Sequence, residues 1–289
     1  MGLTPRWIFH ALAAFILPFA VFAEKPAKKK GDAAAQAPAE SDPVDMEQVR
    51  EELGVNKFTA PSIEQVLAEL MDLRPIQIEK VWRDLPAGTP QNRARLALVS
   101  GRVIADGLLA VIAEKPSRVE PCARALLRFA KGLGVSDHVS KHSKSIIERV
   151  AKEDWNDVRR ELVKAQADVE GGMLALKDDE IAHLVSLGGW LRGLEIVSVL
   201  VADDYTEKRA QRLVQPEALD YFIDRVGTLN PSLKAKTLFQ AIEETLTAIK
   251  AVIVKPDNAP LTVDDVKKIR DLAKEVNVKI ADIGAKSEE

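Results

Sequence analysis

The chain is poor in residues that carry specialised chemistry. Its 289 residues contain one cysteine, Cys122, so no internal disulfide can form and a disulfide scaffold is excluded. Aromatic residues make up 5%, with two tyrosines, which argues against an aromatic-rich β-sandwich. Neither sign of charge dominates. Lys and Arg number 41 and Asp and Glu 44, a net charge of −3, not the basic surplus of a nucleic-acid binder. There is no Gly-rich phosphate loop, Gly-x-Ser-x-Gly elbow, Cys-x-x-Cys-His haem site or calcium loop. No cofactor is therefore expected, and no enzyme class is indicated. Hydrophobic residues at 46% and charged residues at 29% are globular values, which excludes a disordered chain.

Long hydrophobic runs are scarce too. Residues 7–22 form one of 16 residues, behind Arg6, and it falls short of the ~20 that span a bilayer. Pro18 breaks it near its end, and Val21-Phe22-Ala23 offers a cleavage site. Residues 1–23 therefore read as a signal peptide cleaved near Ala23, which sends the chain to the periplasm or outside the cell. An uncleaved anchor is the alternative. No cysteine lies near the site, so a lipoprotein is excluded. No later run approaches spanning length without charges, so the mature chain is expected to have no transmembrane span. Residues 24–44 hold Lys28-Lys29-Lys30, Ala33-Ala34-Ala35 and prolines at 26, 38 and 43, without apolar periodicity. They read as a disordered, solvated linker.

From residue 45 to 289 the period is helical, and no convincing alternating strand occurs. A capping box at Ser62 and Gln65 opens a helix with Ile63, Val66, Leu67 and Leu70 on one face. Ile78, Val81, Trp82 and Leu85 continue the spacing until Pro86. Further helices are expected over about 91–113, 117–131, 136–151, 154–170, 178–202, 205–214, 216–226, 230–254 and 262–280. Gly171-Gly172 is expected to end the fourth of these. The expected class is all-α, a multi-helix bundle.

An internal echo suggests duplication of halves at about 91–170 and 178–254. Leu98-Val99-Ser100 recurs as Leu184-Val185-Ser186, Gly107-Leu108 as Gly193-Leu194, and Val111 as Val197. Phe129, Gly134 and Lys141 recur at a shifted offset as Phe222, Gly227 and Lys234. Two long helices are also rich in small residues: Ser100, Gly101 and Ala105 on one, Gly188, Gly189 and Gly193 on the other. Glycine inside a helix costs ~1 kcal/mol against alanine, so these need a reason. Close approach of the two helices is the simplest, and a ligand groove is its rival.

At the echo's register Asp106 matches Arg192. Both sit in apolar helical stretches, with Arg102 and Glu195 one turn away and Trp190 nearby. Such a buried cluster is either a register-fixing network or a ligand site. His138 and His142 share a helix face at i, i+4, the spacing of two metal ligands. Lys141 and Lys144 disfavour a cation there, and His183 is the only other mature histidine, so a solvated face is preferred and no metal is expected. Arg124, Arg128 and Lys131 form a basic stripe that reads as solvated. Cys122 reads as a small buried residue, and Trp82, Trp155 and Trp190 as core anchors.

Together these features describe an exported envelope protein acting as a non-enzymatic binding or scaffold module for a protein partner. Two alternatives stay open, a small-ligand carrier and an enzyme. Either would use the groove between helices 91–113 and 178–202, with Asp106 and Arg192.

Overall fold

Local signals open and close each helix. The Asn92 side chain accepts from the Arg95 amide and starts one. Pro116 opens the next, and Gly134 closes it in the left-handed region at φ 83°. A complete capping box between Thr262 and Asp265 opens the last. Burial pushes the Asp265 carboxyl up, but hydrogen bonds from the Lys255 ammonium, the Thr262 hydroxyl and the Thr262 amide outweigh it and hold the group down to about 2.

The computed structural model describes residues 63–282. In chain order the helices are α1 (Ile63–Met71), α2 (Ile78–Val81), α3 (Arg93–Ile112), α4 (Pro116–Leu133), α5 (Ser136–Ala151) and α6 (Trp155–Leu176). They continue as α7 (Asp179–Asp203), α8 (Glu207–Ala210), α9 (Pro216–Gly227), α10 (Pro231–Lys234), α11 (Thr237–Ile253) and α12 (Val263–Ala281). Among the described residues there is no strand, and the fold is an all-α multi-helix bundle. The expected leader, the linker and the Ser62 cap lie outside the described residues.

α3 and α7 form the centre. Arg93 pairs with Asp178 at their starts, Gly101 meets Val185 and Gly189 midway, and Asp106 meets Arg192 further on. Contact partners advance together along both helices, so the two run parallel. α4 flanks α3, α12 flanks α7, and α5 and α6 form a hairpin on α4. One apolar core joins α3, α4 and α7 to α9, α11 and α12. A second gathers Leu67, Leu70 and Leu73, Ile78 and Val81, and the far ends of α3 and α7. By length and composition α7 is apolar enough to cross a membrane, and its most apolar stretch is 67% buried as the bundle's central helix.

Glycines set the seam. A methyl group on Gly101 would run into the Val185 carbonyl, and one on Gly188 into the Leu98 carbonyl. Gly193 has no such neighbour within 4 Å. The glycine stripe is thus part seam, part open wall.

Several boundaries differ from expectation. Residues 82–85 are not helical, because α2 stops at Val81 and Trp82 turns extended. The Arg192 and Arg102 side chains take the Val81 and Asp84 carbonyls, and Pro86 has no amide to offer a helix. α6 runs through Gly171-Gly172 instead of ending there. Gly172 makes room for His138, whose Cδ2 would lie 2.7 Å from an added methyl. α5 begins without the Ser136 or Asp137 side-chain cap. The helix expected from 230 to 254 breaks into α10 and α11.

The sequence echo is confined to α3 and α7. Gly134 is a left-handed cap, whereas its match Gly227 is the last residue of α9 and has no positive φ. α4 packs directly on α3, while the chain after α7 breaks into short pieces and α7's main flank is α12.

Candidate functional site

Four of the five residues singled out on α3 and α7 come together. Arg192 and Asp106 are fully buried, Glu195 is 1% exposed and Arg102 4%. The Arg192 Nε donates to Asp106 Oδ1 at 2.8 Å, and its Nη2 also donates to the Val81 carbonyl. Arg192 Nη1 lies 2.8 Å from Glu195 Oε2. Arg102 Nη2 donates to the Asp84 carbonyl at 3.0 Å, and its Nε stands 3.9 Å from Asp106 Oδ2. A fifth member, Arg83, donates to Glu195 Oε1 through Nε and Nη2 at 2.9 and 2.6 Å. Burial pushes the Asp106 carboxyl up against the pull of Arg192 and Arg102, and pushes the Arg102 guanidinium down. Two carboxylates and three guanidinia thus hold residues 78–85 against α3 and α7. None of the five lines either of the two cavities described below.

Trp190 does not join it. Its Nε1 donates to Gln215 Oε1 at 2.9 Å, and its ring packs on Phe222 at 5.3 Å between centroids. It faces an apolar cavity of about 330 Å³ on another side of the α3–α7 pair. Ile104, Leu108 and Val111 of α3, Leu126 of α4, Ile146 of α5, Leu162 and Val169 of α6, and Val197 of α7 wall this cavity. Gly193 leaves room on the α7 side, and α1 contributes Val66, Glu69 and Leu70. None of Asp106, Arg102, Arg192 and Glu195 lines it. The hollow thus lies beside the two long helices rather than between them, and the charges expected in a groove there do not line it.

Most polar neighbours of the cavity are engaged elsewhere. Ser100 Oγ donates to the Leu96 carbonyl at 2.7 Å and Ser143 Oγ to the Val139 carbonyl at 2.8 Å. Gln166 donates to Glu170 at 2.7 Å. Cys122 is 2% exposed, and burial pushes its thiol up to about 12, so it presents apolar wall rather than a nucleophile.

No family model matches this chain, and no curated protein or solved structure shows significant similarity to it. Function must therefore be argued from the site alone.

The histidine pair does not converge on a cation. His142 is buried, with Nδ1 2.8 Å from Glu161 and Nε2 2.9 Å from Asp168. His138 is exposed and lies against Gly172. Among the described residues no group of three His, Cys, Asp or Glu is placed to hold a metal. The basic stripe is exposed at Arg124, Arg128 and Lys131, as expected; Arg124 pairs with Glu120, and Arg128 reaches the Arg124 carbonyl at 3.3 Å.

Three features escaped the sequence reading. Arg83 and Glu69 were not singled out, although Val66 and Leu70 flank Glu69 on the apolar stripe. His183 entered only as a third histidine. Its Nδ1 lies 2.6 Å from the Tyr221 hydroxyl, above a smaller hollow of about 290 Å³ at the start of α7. Burial, with help from Arg225, pushes its imidazole down to about 4.

Proposed function

We propose that this protein is a non-enzymatic binder of an apolar small molecule, acting as a carrier in the cell envelope. The cavity beside the α3–α7 seam carries the reading. At about 330 Å³ it has the size of small-molecule sites. It is roughly twice the volume of an apolar cavity that takes up benzene. Its wall is mostly apolar, so a ligand is held chiefly by contact and exclusion of water.

The location in the envelope rests on residues 1–23, whose charge and apolar pattern are those of an export signal. A scaffold role would call for an exposed apolar face. Among the described residues the large exposed apolar side chains are Met71, Leu176, Val254 and Val278, and no two of them share a helix.

Titration with N-phenyl-1-naphthylamine, a neutral dye bright only in apolar surroundings, tests the reading. The expected result is saturable binding of one dye, a rise in melting temperature with dye concentration, and loss of both on filling the cavity with Ala105→Leu. Dye binding that is absent, or unchanged in the filled variant, overturns it. Intact mass of exported protein tests the location, with a start at Glu24 expected and an uncleaved chain against it.

A further inference from the structure

We propose that the cavity accepts a single-chain amphiphile with a cationic head, with the ammonium group seated against Glu69 and the chain lying along the α3–α7 seam. The inference rests on the apolar-ligand reading above and names the ligand's charge.

Glu69 sits on α1 between Val66 and Leu70, and all three line the cavity. It is half-buried. Among the described residues it accepts no hydrogen bond and forms no ion pair, unlike the other charged groups of the wall, Arg212 and Glu170. The nearest cation, Arg212, also lines the cavity, but its Nη2 is bound to Asp72 at 2.8 Å. Arg212 acts on Glu69 only through space. Glu69, Asp72 and Arg212 together leave one surplus negative charge at the wall.

A carboxylate partly withdrawn from water without a partner is costly. Burial accordingly pushes the Glu69 carboxyl up, Arg212 opposes this and Asp72 adds to it. A ligand that brings its own cation supplies the missing partner while its chain fills the apolar space. An anionic head would meet Glu69 as a like charge and find the guanidinium of Arg212 taken.

The test compares three ligands of equal chain length on the full chain, below their micellar concentrations. Dodecyltrimethylammonium, dodecanol and dodecanoate each displace N-phenyl-1-naphthylamine. The cation is expected to displace it at about tenfold lower concentration than the anion, with the alcohol between them. Glu69→Gln should narrow that gap to about threefold or less and leave dodecanol unchanged, which also shows that the variant folds. Dodecanoate equal to or better than the cation overturns the proposal, as does a preference that survives in Glu69→Gln. Binding of dodecanol without any charge preference overturns this inference alone. Failure of the dye and all three chains to bind overturns the apolar-ligand reading and this inference with it.

Discussion

On one side of the α3–α7 pair, Arg192, Asp106, Glu195 and Arg102 are sealed beneath the chain from Ile78 to Leu85. On another side of the same two helices, Ala105 and Gly193 line a hollow. The charged side is closed over and its members pair as ions, although Arg102 Nη1, Asp106 Oδ2 and Glu195 Oε2 make no hydrogen bond. The hollow side gives up packing, since an unfilled cavity of this size forfeits on the order of several kcal/mol of contacts. One side spends polar groups on fixing register, and the other spends stability on room. A ligand that fills the room recovers those contacts, which is why the hollow side is where function is sought.

The contrast can be broken most severely at the charges. Asp106→Ala leaves Arg192 buried without its main partner and should destabilise by about 3–5 kcal/mol in urea unfolding. Replacing the pair together, as Asp106→Leu with Arg192→Met, should come much closer to neutral. A single change near zero would show that the cluster contributes little. At the seam, Gly101→Ala pushes a methyl into the Val185 backbone and should cost about 3 kcal/mol, because the backbone there cannot give way.

His183 adds a pH-dependent term of similar size. Its imidazole is held down to about 4 in the folded chain, against an ordinary 6.5. The unfolded chain therefore binds a proton at higher pH than the folded one. The contribution is complete above about pH 6.5, is lost as pH falls toward about 4, and levels off below, with a loss of up to about 3 kcal/mol. His183→Gln should remove that slope from stability measured against pH. A slope that persists would assign the titration to another group. The smallest effect has the opposite sign. Gly193→Ala meets nothing within 4 Å and should stabilise by up to about 1 kcal/mol while narrowing the cavity. Alanine at Gly101 and at Gly193 thus separates seam from hollow with one substitution.

The central pair was readable from the sequence because one register carried several signals at once. Leu98-Val99-Ser100 against Leu184-Val185-Ser186 aligned the helices, and the same alignment set Asp106 beside Arg192. The excess of glycine marked the close approach. The cavity was not readable, because its wall comes from α1 and α3 to α7 together and no single stretch carries the pattern. Segment 82–85 was misread for a related reason. Its local spacing favours a helix, but Arg192, more than a hundred residues away, claims the Val81 carbonyl just before it, and Arg102 claims that of Asp84. His138 and His142 share spacing and chemistry, and only the packing of α6 buries one and leaves the other in water. Glu69 could have been flagged by its place against the apolar stripe, though periodicity alone does not say that the stripe faces a void.

The parallel course of α3 and α7 has an electrical consequence. In an antiparallel pair the two helix dipoles cancel; here they add. Both amino ends lie together, where Asp178, Asp179 and Glu180 gather. Both carboxyl ends lie together at the other end, where Arg74 donates to the Ile112 carbonyl at 2.7 Å and Lys80 pairs with Asp203 at 2.7 Å. Glu69 stands shortly before Arg74 in the chain, toward that electronegative end. The hollow beside the seam therefore has a polarity along its length, and a chain carrying one positive group would lie in it in a single direction.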